Sequence, residues 1–436
     1  MRNESKRKTF WHTPGRHDVL RVAWSAFPAC VALLIAGAPF HLHAQAVAPE
    51  VTQVRAQRSG VPDQWAAFTR TFDAYADSDR IVGASVAVVR GGRILEHHEH
   101  GLADRARGQR VTEQSIFHYA SITKTLTAIA IMQLRDRGLL SLDDPVVRYV
   151  PELRRVHDAY GSVDSVTLRM LLSHSAGFQN GTWPYSDGKP WQPFEPTEWS
   201  QLVAMMPYQE LQFKPGSRYS YSNPGYIYLA RVIEHLTGDP WETYIQKNIF
   251  SPLGLARSYF GATPYYLAAD RSHNYSAEKD SASGRDTVID HGADFDPGIT
   301  IPNGGWNAPL SDVARYIAFL VNAAQGDTAL QRRFDTVLAH RDLEEMWKPR
   351  YPTSARTSAT GSPDEEIGLS FFVVRRGTTT FVGHTGEQAG FTSFLYLNPR
   401  TGDAVVAAFN TIKQGGSGSA RSSFQSIRDR ALELIR

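Results

Sequence analysis

The sequence predicts an α+β protein, in which one antiparallel sheet is built from both ends of the chain, flanked by helices and interrupted by an inserted, mostly helical part. Three observations carry that prediction. Strand-like runs cluster near the start, at 81–90 and 93–100, and again near the end, at 368–374, 378–383, 391–397 and 404–410. The residues between them space their apolar side chains largely as helices do. A further helical pattern lies outside each set of strands, from Pro62 onward and over 424–435, in position to cover the sheet. The expected boundaries place the sheet-and-helix part at about 61–110 and 365–436 and the helical part at about 111–364, with the active site where they meet.

Taken in order, residues 1–46 read as an export signal, followed by a polar linker at 47–60. A basic segment precedes an uncharged stretch whose most apolar part is Val31-Ala32-Leu33-Leu34-Ile35-Ala36, and Ala44-Gln45-Ala46 offers small residues before a cleavage point at Val47. An uncleaved membrane anchor is the alternative, although Pro28, Gly37 and Pro39 interrupt the stretch. The formal charge of the whole chain is +2, of which residues 1–46 carry +4, leaving −2 after cleavage. A chain so close to neutral has no electrostatic footprint for nucleic acid. The only cysteine, Cys30, lies in the same segment, so a cleaved chain has no disulfide, no thiol nucleophile and no cysteine-ligated metal.

In the helix that opens at about Pro62, Trp65, Phe68, Phe72 and Tyr75 follow one face. Gly91-Gly92 joins the first two strands as a hairpin. Along the second strand His98 and His100 share a face, as a zinc pair requires, but no third ligand stands nearby, and the segment reads as a solvated outer strand. Asp290, His291, Asp294 and Asp296 read likewise as solvated loop residues. No metal and no organic cofactor are called for. A short helix at 167–172 stops at Gly177, and His174 at its end reads as a packed or capping histidine. Residues 179–200 form a long loop with four prolines and five aromatics, expected to border a substrate pocket. Helices are further expected at 226–237, 241–249, 311–322 and 335–348.

The chemistry centres on Tyr119-Ala120-Ser121-Ile122-Thr123-Lys124, read as the opening of a long helix that is apolar on most sides. Residues three apart share a helix face, so Ser121 can serve as a nucleophile and Lys124 as the base that takes its proton. The first-turn N–H groups lack internal partners and can steady an oxyanion. Burial of Lys124 in such a helix lowers its pKa toward that role. Alone, Ser-x-x-Lys is a weak signal.

Two more motifs follow in order, Tyr221-Ser222-Asn223 and Gly383-His384-Thr385-Gly386, and no Gly-x-Ser-x-Gly elbow occurs. The ordered trio resembles the serine β-lactamase and penicillin-binding-protein superfamily. It looks closest to the class C β-lactamase branch with its D-alanyl peptidases, D-aminopeptidases and esterases. Ile131-Met132-Gln133-Leu134, Ser141-Leu142-Asp143-Asp144-Pro145, Leu171-Leu172-Ser173-His174-Ser175-Ala176-Gly177 and Phe213-Lys214-Pro215-Gly216 share the resemblance, which covers roughly residues 60–435.

The resemblance implies a β-lactamase/transpeptidase-like fold and a catalytic set. Ser121 would form an acyl-enzyme, with Lys124 and Tyr221 sharing the proton work and the phenol kept proton-poor by neighbouring cations. Asn223 would orient the substrate and hold Lys124. His384 and Thr385 would line the pocket-edge strand. Gly386 would admit the substrate to that strand, and the N–H groups of Ser121 and Glu387 would form the oxyanion hole. One departure matters, because β-lactamases and DD-peptidases usually have lysine where this chain has His384. Histidine is mostly neutral at pH 7 and gives no permanent cation for a substrate carboxylate.

The expected function is therefore an exported, periplasmic or secreted serine hydrolase that cleaves an ester or amide of a small-molecule or peptide substrate, as an esterase, a D-amino-acid peptidase or a β-lactamase-like enzyme. The alternative is a penicillin-binding sensor or scaffold that acylates slowly or not at all. Nucleic acid is not an expected partner, a membrane only if the N-terminal segment stays uncleaved, and the sequence leaves the oligomeric state open.

Overall fold

The computed structural model describes residues 61–181, 196–279, 284, 286–324, 326–353, 364–413 and 419–436. The export signal, the linker, Cys30 and most of the proline- and aromatic-rich loop lie outside the described residues.

Nine strands form the main sheet, every neighbouring pair antiparallel. From one edge to the other the order is Gln109–Arg110, Arg93–Asp104, Gly83–Arg90, Asp403–Phe409, Phe391–Leu397, Thr379–Gln388, Phe372–Arg376, Glu365–Ile367 and Tyr351–Pro352. Strands from the two parts of the chain meet inside it, as its third and fourth strands, where Ala84 lies opposite Phe409 and Arg90 opposite Asp403. Arg90 clamps that register with two bonds to the Asp403 carboxylate, at 2.8 and 3.0 Å.

Alternation along the central strand divides the interior in two. Val405, Ala407 and Phe409 enter a core with Trp65, Phe68 and Phe72 of helix Val61–Ser78 and Ile427, Ala431 and Leu432 of helix Ser419–Glu433. Ala404, Val406 and Ala408 enter the larger core, with Leu126, Ile129 and Met132 of helix Thr123–Asp136. The expected α+β layering is thus present: terminal helices, antiparallel sheet, inserted helices.

Helix Thr123–Asp136 is buried from Thr123 to Leu134, as a sequence apolar on most sides requires. Arg135 closes it through Asp342 at 2.8 Å and Glu345 at 2.7 Å. Helix Pro224–Thr237 packs against it, starting on a proline and ending at Gly238 with φ 74°.

Several local expectations differ from the structure. Ser121 lies in a turn ahead of the helix, which starts at Thr123, and a short buried strand, Ile116–Ala120, leads into it. That strand pairs with Trp306–Pro309. Asp290, read as a loop residue, ends a strand, Asp286–Asp290, which with Tyr275–Lys279 and Thr411–Lys413 forms a small sheet. The motif strand runs from Thr379 to Gln388, so Gly386 is paired with Ser393 and does not turn the chain; the turn falls at Ala389-Gly390. The region 335–348 holds parts of two helices, Thr328–Val337 and His340–Met346. His98 and His100 stay partly exposed, but each also bonds the Asp73 carboxylate of the first helix, at 2.8 and 2.9 Å.

Candidate active site

The nucleophile's turn is held from two sides. Ala120 has φ 46°, in the left-handed region that an L-residue seldom occupies. The Thr123 hydroxyl donates to the Ala120 carbonyl at 2.6 Å and accepts the Trp306 N–H at 2.9 Å. From the sheet, the Ser393 hydroxyl donates to the Tyr119 carbonyl at 3.0 Å. A Cβ on Gly386 would stand 2.2 Å from that same carbonyl oxygen. The glycine thus lets the motif strand press against the segment before Ser121, a closeness the sequence reading had assigned to substrate. Such over-determination is what keeps a strained turn in place.

Lys124 is fully buried, and its amine meets three acceptors: Ser121 Oγ at 3.1 Å, Asn223 Oδ1 at 2.8 Å and the Asn303 carbonyl at 2.7 Å. Burial pushes its pKa well below that of a free lysine. A neutral amine has two N–H bonds and one lone pair. With Asn223 and Asn303 accepting the two N–H bonds, the lone pair is left for the Ser121 hydroxyl.

Tyr221 hydrogen-bonds Ser121 through its phenol, and the Lys124 nitrogen lies 4.9 Å from its ring centre. The expectation of a proton-poor phenol is not met. Desolvation raises the Tyr221 pKa well above its ordinary value, and burial also works against the charged forms of the cations assumed to offset this. Burial drives Lys124 toward the neutral amine, and His384 is driven down to about 3 by burial and then by Lys124. Tyr221 therefore stands as a neutral phenol, able to pass a proton on.

Asn223 ends the loop before helix Pro224–Thr237, and its amide also reaches Asn180 Oδ1 at 3.2 Å. His384 lies on Thr379–Gln388, buried, its ring 4.9 Å from Phe372 and 6.2 Å from Tyr221. Its Nδ1–H donates to the Thr385 carbonyl, which leaves Nε2 as a bare, buried acceptor. Thr385 is half-buried and Glu387 exposed at the strand's end. The structure thus brings Ser121, Lys124, Tyr221, Asn223 and His384 to one place: the serine, tyrosine and asparagine partly open, the lysine and histidine beneath them.

Two contributors escaped the sequence reading. The Asn303 carbonyl is a backbone atom and leaves no side-chain signature. His174 was read as packing, yet it stacks on Tyr221 with ring centres 4.3 Å apart. Its place in the Leu171–Gly177 motif was the available signal. Among the described residues, Asp104, His273 and Asp290 gather ligand atoms within 4.8 Å of one another. His273 there turns Nδ1 to Asp290 at 3.1 Å and Nε2 toward Asp104 at 3.5 Å, so both ring nitrogens face a carboxylate.

The chain is similar to known proteins in sequence and in fold. The beta-lactamase family model matches residues 68–427. Esterase EstB of Burkholderia gladioli is 36% identical over 197 residues, 42% of this chain and 48% of that protein. Penicillin-binding protein 4* of Bacillus subtilis (strain 168) is 30% identical over 174 residues, 39% of this chain and 36% of that protein. The matched parts thus span about half or less of these curated relatives. Among solved structures, the D-amino acid amidase of Ochrobactrum anthropi SV3, in complex with L-phenylalanine amide, superposes with a TM-score of 0.68 at 22% identity, over 85% of this chain and 98% of that one.

Proposed function

Because the chain belongs to the beta-lactamase family, we propose that it is a serine hydrolase whose Ser121 carries an acyl group from an ester or amide substrate. The observation that carries this reading is the Lys124 amine, buried, driven toward neutrality and 3.1 Å from Ser121 Oγ. Lys124 takes the Ser121 proton as Oγ bonds to the substrate carbonyl carbon. The carbonyl oxygen, now negative, is held by the N–H groups of Ser121 and Glu387. Collapse breaks the bond to the leaving alcohol or amine, which receives the proton from the Lys124 ammonium through the Tyr221 hydroxyl. Water then attacks the acyl-serine carbonyl carbon and gives a proton to the same pair; the bond to Ser121 Oγ breaks, the acid leaves, and that proton returns to Oγ.

Esters with uncharged acyl groups are the substrates the site favours. His384, held neutral, offers no cation to a substrate carboxylate, and a relative in the beta-lactamase family bears the name esterase. Export belongs to the same proposal and rests on the basic and apolar composition of residues 1–46; intact mass of the mature protein should place its first residue at Val47.

The purified chain is expected to hydrolyse p-nitrophenyl esters faster than D-amino-acid anilides or a chromogenic cephalosporin, and to be labelled by a fluorophosphonate. Ser121→Ala should abolish the label and lower kcat by a factor on the order of 10⁴–10⁶. An unlabelled wild type without turnover, or hydrolysis that survives Ser121→Ala, overturns the reading.

A further inference from the structure

We infer that His174 is a positioning residue for Tyr221, gripping the peptides on both sides of it and the face of its ring so that the phenol stays on Ser121. The inference rests on the serine-hydrolase reading above. The Ser220 N–H donates to the His174 carbonyl at 2.8 Å, and the Ser222 N–H donates to His174 Nδ1 at 3.0 Å. One residue thus fixes the backbone before and after Tyr221, while its ring lies against the phenol ring at 4.3 Å and 27°. To do so His174 adopts φ 52°, in the left-handed region.

The ring's own hydrogen bonding shows that packing is not its only task. Because Nδ1 accepts, the ring proton sits on Nε2, and that N–H is buried with no partner among the described residues. An unpaired buried donor is costly. Phenylalanine would fill the same space without it. What phenylalanine lacks is the acceptor for Ser222, so the acceptor is the feature used. Burial, with Lys124 and His384 near, holds the imidazole well below its usual range, which keeps Nδ1 free to accept.

The test uses the full chain. His174→Phe keeps a ring and drops the acceptor; His174→Asn restores an acceptor near the Nδ1 position and tolerates the left-handed backbone. Expected for His174→Phe is a fall in kcat of about 10- to 100-fold with KM changed less than about twofold, and for His174→Asn a recovery to within about tenfold of wild type. In a Tyr221→Phe background, His174→Phe should cost less than about twofold more, because His174 acts through the hydroxyl already removed. Full additivity, or a lowered Tm with kcat unmoved, overturns the inference. Two further readouts need no turnover. The ¹⁵N resonances of His174 should show Nε2 protonated and Nδ1 bare from pH 5 to 9, and the ¹³Cζ resonance of Tyr221 should shift in His174→Phe. A ring that titrates in that range, or an unmoved Tyr221 resonance, overturns it even if the wild type proves inactive, the result that would instead defeat the hydrolase reading.

Discussion

Lys124 is a side chain that water would keep charged, held here with no exposure and three polar contacts. Desolvation penalises the ammonium, so the folded protein releases this proton at lower pH than a free lysine near 10.4 would. The consequence for rate has a definite sign. Below its pKa Lys124 is protonated and cannot take the Ser121 proton, so kcat/KM climbs with pH; above it the profile is flat. With the pKa depressed by burial, the plateau should begin below the pH at which a free lysine would reach it. His384, at about 3, should add no inflection between pH 5 and 8. A pH profile on p-nitrophenyl acetate, corrected for spontaneous hydrolysis, checks both; a tenfold rise per unit continuing to pH 10 would show an ordinary lysine. Side chains of this kind were legible beforehand, since nucleophile, base and phenol must be particular residue types at particular spacings. The Asn303 carbonyl was not, because any residue could have supplied it. The state of Tyr221 was misread because its charge depends on neighbours that only the fold makes neutral.

At the level of elements, the strands showed where they alternate and stayed hidden where they do not. Ile116–Ala120 is buried along its whole length, so it has no polar face to alternate with, and it runs almost directly into a buried helix. Its partner Trp306–Pro309 ends in a proline and is bounded by two glycines at its start, which read as loop. At Gly386 the glycine does signal close approach, but of the chain's own Tyr119 carbonyl and not of substrate. That contact can be tested directly. Gly386→Ala places a methyl 2.2 Å from the Tyr119 carbonyl oxygen and 2.5 Å from Ser393 Oγ. The strand and the nucleophile's turn must separate, at a cost of about 1–3 kcal/mol from overpacking. Since Ser121 follows Tyr119 by two residues, kcat should fall by about tenfold or more. Urea denaturation and steady-state kinetics measure the two effects, and an alanine variant with wild-type kcat would show that the contact does not set the turn.

Across the whole molecule, the sheet separates two tasks. One face carries the core around the nucleophile's helix, the other the core beneath the terminal helices. Legibility followed that division: similar strand runs at both chain ends implied a shared sheet, whereas the small sheet of Thr411–Lys413, Tyr275–Lys279 and Asp286–Asp290 joins distant, weakly patterned segments and gave no such signal. If the outer layer serves stability and the inner one chemistry, damage to the outer core should be felt in ΔG and not in rate. Ile427, 2% exposed, sits in that outer core with Trp65, Phe72 and Phe409. Ile427→Ala removes buried methyl groups and should cost about 2–4 kcal/mol, read from the urea midpoint. Of the site residues, Tyr221 packs against that core; if the outer core serves stability alone, kcat/KM at 25 °C stays within about twofold of wild type. A loss of rate at temperatures well below unfolding would mean that strain crosses the sheet, coupling the terminal helices to the strand that carries His384.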